Sequence, residues 1–152
     1  MDDMRDQAVE MLRGCVAGRT HQIARIVSAH YDNALREHGV TSNQLTLLCL
    51  VAMLQPVRPA DMLGYLQMEQ STLSRNVERL AKKGWLRRIP HEDDARSIRF
   101  ELTHEGKAKL KTAYAGWEDA QRWAQQALGD EGIEHLELTA NRLNPLMPVR
   151  KG

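Results

Sequence analysis

The stretch from Glu69 to Thr103, EQSTLSRNVERLAKKGWLRRIPHEDDARSIRFELT, sets a basic helical pattern directly ahead of two short strand-like runs. Leu73, Val77 and Leu80 recur at i, i+4 and i+7, the spacing of one helix face, and Gly84 suits the stop. "WLRRI" and "SIRFEL" read as strands around the polar tip "PHEDDAR". Charge gathers in the same place. Between Ser71 and Arg99 stand eight Lys/Arg against four Asp/Glu, a local +4 in a chain of formal net charge +1, so the remainder carries −3. Such asymmetry predicts an anionic partner, nucleic acid first, although a solvated charged face is the commoner origin of a basic run.

Upstream, residues 4–38 hold no proline and keep apolar or small residues at helical spacing, which predicts one long first helix. Gly14 and Gly18, four apart on it, suit the close approach of another helix, and Gly39 suits a C-cap. "VTSNQLTLLCLVAML" offers Thr41 or Ser42 as the N-cap of an apolar helix ending near Pro56. "RPADMLGYLQM" starts a short helix at Pro59, with Met62, Leu63 and Leu66 inward. Downstream, Thr103 opens a helix to about Leu128, Gly129 and Asp130 break it, and a last helix reaches about Leu143. Three short helices and a hairpin describe a winged helix-turn-helix. The long helices at the two chain ends most naturally pack together as a dimerisation platform. The predicted class is therefore mainly α with a small β-wing: a winged helix-turn-helix over 41–103, flanked by helical dimerisation regions over 1–40 and 104–152.

The chain of 152 residues is about one domain long. Its longest apolar run, Leu45–Leu54, is about half of what a membrane span needs, and the acidic N-terminus lacks a signal-peptide core, so a cytoplasmic location is expected. Two cysteines cannot make a disulfide framework. The six histidines form no metal spacing, there is no Cys-x-x-Cys, and neither a glycine-rich phosphate loop nor a G-x-S-x-G elbow is present. Neither an enzyme nor a cofactor is expected.

Stepping 100° per residue from Leu73 puts Ser71, Arg75, Glu78 and Lys82 nearly opposite the buried stripe, with Thr72 and Arg79 on its flank. Short hydroxyls at a helix N-terminus let the backbone approach DNA, and arginines beyond them reach bases or phosphates. Glu78 fits that face less well. On the wing tip, Arg96 suits insertion into the minor groove, and Asp94, two residues away, is placed to orient it.

At this point "STLSRNVERLAKKGWLRR", "DDAR" and "LTHEG" resemble the signature of the MarR family of transcriptional regulators: a T-x-S-R recognition helix, L-x-x-x-G, a D-x-R wing and an LT-x-x-G helix start. The likeness runs from about Thr41 to Lys111, and the flanking helices agree in length and order. "YDNALREHGVTSNQLTLL" also resembles the family's approach to its second helix. Gly64 in "MLGYL" stands where the family usually has alanine. The resemblance implies an obligate homodimer on pseudo-palindromic double-stranded DNA that usually represses nearby genes and is released by a small molecule or an oxidant. It implies that Ser71, Thr72, Ser74 and Arg75 face the major groove, with Arg96 in the minor groove and Asp94 supporting it.

The resemblance also implies an effector of phenolic or carboxylate type between the dimer helices and the winged region. Arg25, His30 and Tyr31 occupy the part of the first helix that would line such a crevice, against the alternatives of a surface histidine and a packed tyrosine. Some relatives sense peroxide through a first-helix cysteine, which makes Cys15 a redox candidate. Tyr31 lies about 24 Å along the helix from it, and a packed structural thiol is the preferred reading. Cys49, inside "LLCLV", is expected in the core, and Trp117 and Trp123 are expected to pack. A winged-helix module that binds protein and not DNA is the remaining alternative.

Overall fold

The structure is a computed structural model, and it describes residues 3–90 and 97–146. Its elements run α1 (Asp3–Gly14), α2 (Val16–Leu35), a 3-10 turn (Arg36–His38), α3 (Ser42–Leu54), α4 (Pro59–Leu66), α5 (Gln70–Lys82), β1 (Leu86–Pro90), β2 (Ile98–Leu102) and α6 (His104–Leu143).

Most expected boundaries are present, each with a local cause. Thr41 caps α3 through a full capping box, its hydroxyl accepting from Gln44 N at 3.2 Å while the Gln44 side chain accepts from Thr41 N at 3.1 Å. Pro59 opens α4, where its missing N–H costs nothing. Thr103 caps α6 by accepting from Gly106 N. At Gly129 the backbone turns to φ 70°, ψ 167°, which separates α6 into two arms.

The first helix differs from the expectation. It is two helices, broken at Cys15, whose extended backbone and Sγ cap α2 by accepting from Gly18 N at 3.3 Å. Gly14 and Gly18 therefore flank a break, and no other helix of the same chain packs on them: a β-carbon at Gly14 would meet nothing within 4 Å, and one at Gly18 only Cys15.

The core lies where α3, α5 and the wing meet. Leu47, Leu48 and Val51 of α3, Met62 of α4, and Leu73, Val77 and Leu80 of α5 are buried together with Leu86, Phe100 and Leu102 of the sheet. Each fully buried aliphatic side chain contributes roughly 1.5–3 kcal/mol. The strands pair antiparallel, Leu86 opposite Leu102 and Arg88 opposite Phe100; on β2 the buried Phe100 and Leu102 alternate with the half-buried Arg99 and Glu101, whereas on β1 only Leu86 is buried. Val57 adds a bridge to Phe100, with hydrogen bonds of 3.0 and 2.8 Å, which ties the α3–α4 connection to the wing. Along α6, Gly106, Ala113, Gly116, Ala120 and Ala124 form a buried stripe of small residues, and α2 packs against this helix.

Candidate nucleic-acid interface

Helix α5 buries Leu73, Val77 and Leu80 completely and leaves Ser71, Arg75, Arg79 and Lys82 exposed, with Thr72 and Ser74 half-buried beside them. The orientation is forced. Three apolar residues on one 3.6-residue face must enter the core, and the hydroxyls and cations are carried to the other side. Arg75 Nη2 donates to Thr72 Oγ1 at 3.4 Å and Arg79 Nη1 to Asn76 Oδ1 at 3.3 Å. Both guanidiniums thus touch neutral groups and keep their charge for an outside partner.

Glu78, the misfit of the helical-wheel reading, is paired with Arg88 of β1, and Arg87 of the same strand is paired with Glu101 of β2. The carboxylate on the reading helix is therefore neutralised from within. Lys83 lies over the Trp85 ring, 4.6 Å from its centroid. Beside α4, the guanidinium of Arg58 hydrogen-bonds Asp61 in bidentate fashion, at 2.9 and 2.7 Å, and holds the Asp61 carboxyl below the usual carboxylate range; the charge of Arg99 adds to this. Asp94 and Arg96 lie outside the described residues.

Behind this face α2, α3 and α6 enclose a crevice of about 580 Å3, lined by residues that include Tyr31, Ser42, Thr46, Cys49, Tyr114 and Trp117. Of the three residues expected to line an effector site, Tyr31 does so, its hydroxyl donating to Gln121 Oε1. His30 instead stacks on Trp123, with centroids 3.6 Å apart and planes at 14°, and Arg25 is exposed elsewhere on α2.

Two cysteine expectations are overturned. Cys15 is exposed at the α1–α2 break, not packed. Cys49 is exposed towards the crevice and not in the core, although the apolar wall around it pushes its thiol pKa up. The reason is periodicity: Ser42, Thr46, Cys49 and Met53 form one stripe of α3, and they all line the crevice. Sequence reading missed them because "LTLLCLVAML" is apolar all round, so nothing in the run distinguishes the crevice face from the core face.

Among the described residues no helix is long and apolar enough to cross a membrane, and no group of His, Cys, Asp or Glu could hold a metal ion.

The sequence profile described as MarR family matches residues 40–98. The multiple antibiotic resistance protein MarR of Salmonella typhimurium is 30% identical over 116 residues, covering 75% of this chain and 80% of that protein. The HTH-type transcriptional regulator PecS of Dickeya dadantii is 24% identical over 131 residues, covering 84% and 79%. Among solved structures, the M. tuberculosis regulator MosR in complex with DNA superposes with a TM-score of 0.70 at 29% identity, covering 85% of this chain and 98% of that one. A mutant MarR from E. coli complexed with operator DNA superposes at 0.77 with 21% identity, covering 88% and 96%. With its winged fold, its outward-facing basic helix and these relatives, the chain belongs to the MarR family of DNA-binding transcriptional regulators.

Proposed function

We propose that the protein is a homodimeric repressor that reads a pseudo-palindromic operator and is released when a small molecule occupies the crevice between its end helices and its winged region. The observation that carries the DNA reading is helix α5: hydroxyls at its start, Arg75 and Arg79 outward on neutral partners, and its one carboxylate tied to Arg88. Residues 41–103 form the DNA-binding unit in this reading. Ser71, Thr72, Ser74, Arg75 and Arg79 enter the major groove, and Arg96, supported by Asp94, reaches the minor groove. The related MarR and MosR were solved with DNA, which supports the same use of this face.

Dimerisation through residues 1–40 and 104–152 is supported by apolar side chains that this chain leaves in water. Met4, Met11, Leu12, Val16 and Leu143 are each more than 70% exposed, and Ile26 is about half exposed. Soluble monomers rarely leave such apolar surface uncovered. A second copy covers it and sets two α5 helices at the spacing of two half-sites.

Operator fragments selected from the source genome provide the test. Arg75→Ala is expected to cost roughly 1–3 kcal/mol per half-site while the protein stays folded. Normal operator binding by this variant sinks the assignment of α5 as the reading helix.

A further inference from the structure

We propose that Asn144, together with Leu146, is a positioning residue that sets which half-site spacing the protein accepts, by strapping α4 of the winged region to the last arm of α6; this rests on the dimeric DNA reading given above. Helix α6 leaves the winged region at Thr103, turns at Gly129 and ends with Asn144 against α4. The backbone N–H of Asn144 donates to the Ala140 carbonyl at 2.7 Å, so the residue is fixed to the arm that it ends. Its side chain serves α4 instead. Nδ2 donates to the carbonyls of Gly64 and Tyr65 at 2.8 and 3.3 Å, while Oδ1 accepts from the Leu146 N–H at 3.3 Å. An amide engaged through both its donor and its acceptor ends is locked in one orientation.

The two carbonyls belong to the last turn of α4, where a helix has no partners of its own to offer. That helix is only eight residues long and closes on Gln67, whose backbone is left-handed at φ 50°. Gln67 serves part of the turn: its N–H donates to the Leu63 carbonyl at 2.9 Å and its side-chain amide to the Gly64 carbonyl at 3.0 Å. Asn144 brings donors from another element to the rest. Leu146 lies over the same turn, and a β-carbon at position 64 would come within 2.8 Å of its Cδ1. Glycine and asparagine therefore serve one junction. Only residues 67–69 separate it from α5, the helix that carries Arg75.

Packing of α3 on α2 and α6, and the Thr103 junction, already join the winged region to the end helices. Asn144 adds a separate tie, at α4, to the second arm of α6. A body held in one region can pivot, and a tie at a second place removes that rotation. In a dimer, fixed winged regions fix the separation and twist of the two α5 helices. One base pair inserted between half-sites shifts the second by about 3.4 Å and turns it by about 35°. Pivoting winged regions follow that change, whereas strapped ones must break the strap or lose contacts to DNA. A restraint discriminates by no more than the free energy that holds it, so two hydrogen bonds limit the effect to roughly five- to a hundredfold.

Fluorescence anisotropy on three kinds of duplex tests this: the selected operator, the same operator with one base pair inserted or removed between its half-sites, and a single half-site. The full chain is compared with Asn144→Ala, Gly64→Ala and the double variant. Leu146 is 52% exposed, so an alanine at position 64 displaces it without entering the core. The parent is expected to prefer the natural spacing, and each single variant to lose about fivefold or more of that preference. Half-site affinity and the mass from light scattering should stay the same. The double variant should lose no more than the larger single loss, because both changes act at one junction. Unchanged spacing preference in both single variants overturns the proposal, and so do additive losses. A fall in half-site affinity equal to the fall on the full operator overturns it too, because the contact would then shape the reading face itself. A parent that binds the operator without any spacing preference overturns the strap and leaves the DNA reading standing; a parent that binds no operator overturns both.

Discussion

A β-carbon at Gly106 would collide with the carbonyl group of Trp85, and one at Gly116 would come within 2.6 Å of the His38 ring and 2.8 Å of the Ala34 carbonyl. Neither glycine has a positive φ. Both are small because backbone from another part of the chain passes over them. At Gly106 the obstacle is rigid, since Trp85 O also accepts the Thr103 N–H at 3.0 Å and so joins the end of α5 to the start of α6. Gly106→Ala should therefore lower stability by roughly 1–3 kcal/mol, the usual cost of overpacking, read as a drop in melting temperature. A loss below about 0.5 kcal/mol, the range of neutral surface changes, would mean that the junction yields. The "LTHEG" motif thus has a physical reason at both of its ends: Thr103 caps, and Gly106 clears the carbonyl.

At the scale of elements, the helix ends follow local chemistry closely and the helix faces do not. The α3 N-terminus is set by Thr41 and Gln44 exchanging hydrogen bonds with each other's backbone, and Ser42 is held in addition by Asp32. Thr41→Ala removes one side of the capping box and should cost about 1 kcal/mol in urea denaturation; an unchanged midpoint would show that the Asp32–Ser42 pair suffices to hold this end. The division of the first helix at Cys15 is a different matter. Its pattern of apolar and small residues runs through the break unchanged, and a cysteine is not a usual cap, so periodicity alone joins two helices that the structure separates. On α3 the same limit appears sideways: five leucine and valine positions are buried, while Thr46, Cys49 and Met53 turn to the crevice.

For the molecule as a whole, α1 has no buried residue, and its apolar side chains, with those of α2 and the last arm of α6, lie exposed; in the proposed dimer a second copy covers them. Deleting residues 1–14 should leave the winged core folded, since none of the core residues lies before Leu35, and should shift the protein from dimer towards monomer with a large loss of operator affinity. Light scattering after size exclusion checks the first outcome and duplex titration the second; a deletion variant that stays fully dimeric would place the interface elsewhere. The far arm of α6 returns to the winged region: Asn144 Nδ2 donates to the carbonyls of Gly64 and Tyr65 at 2.8 and 3.3 Å, and Leu146 occupies the space that a side chain at position 64 would need. The glycine that departs from the family's usual alanine thus makes room for the chain's own C-terminal segment.

Apart from the break at Cys15, the sequence by itself determined the order of elements, the caps at Thr41 and Thr103, the stops at Gly39, Gly84 and Gly129, and the outward side of α5. These are local matters: a 3.6-residue stripe, a hydroxyl before a helix, a glycine where φ turns positive. With them came the family, because its motifs are those same local devices in a set order. Only the tertiary structure decided which side of α3 meets the crevice, that His30 stacks on Trp123 while Tyr31 reaches the cavity wall, and that Arg88 neutralises Glu78. Each of these pairs residues far apart in the chain or chooses between two apolar faces of one helix. Periodicity carries no information about either, because burial and pairing are properties of what packs against a residue and not of the residue itself.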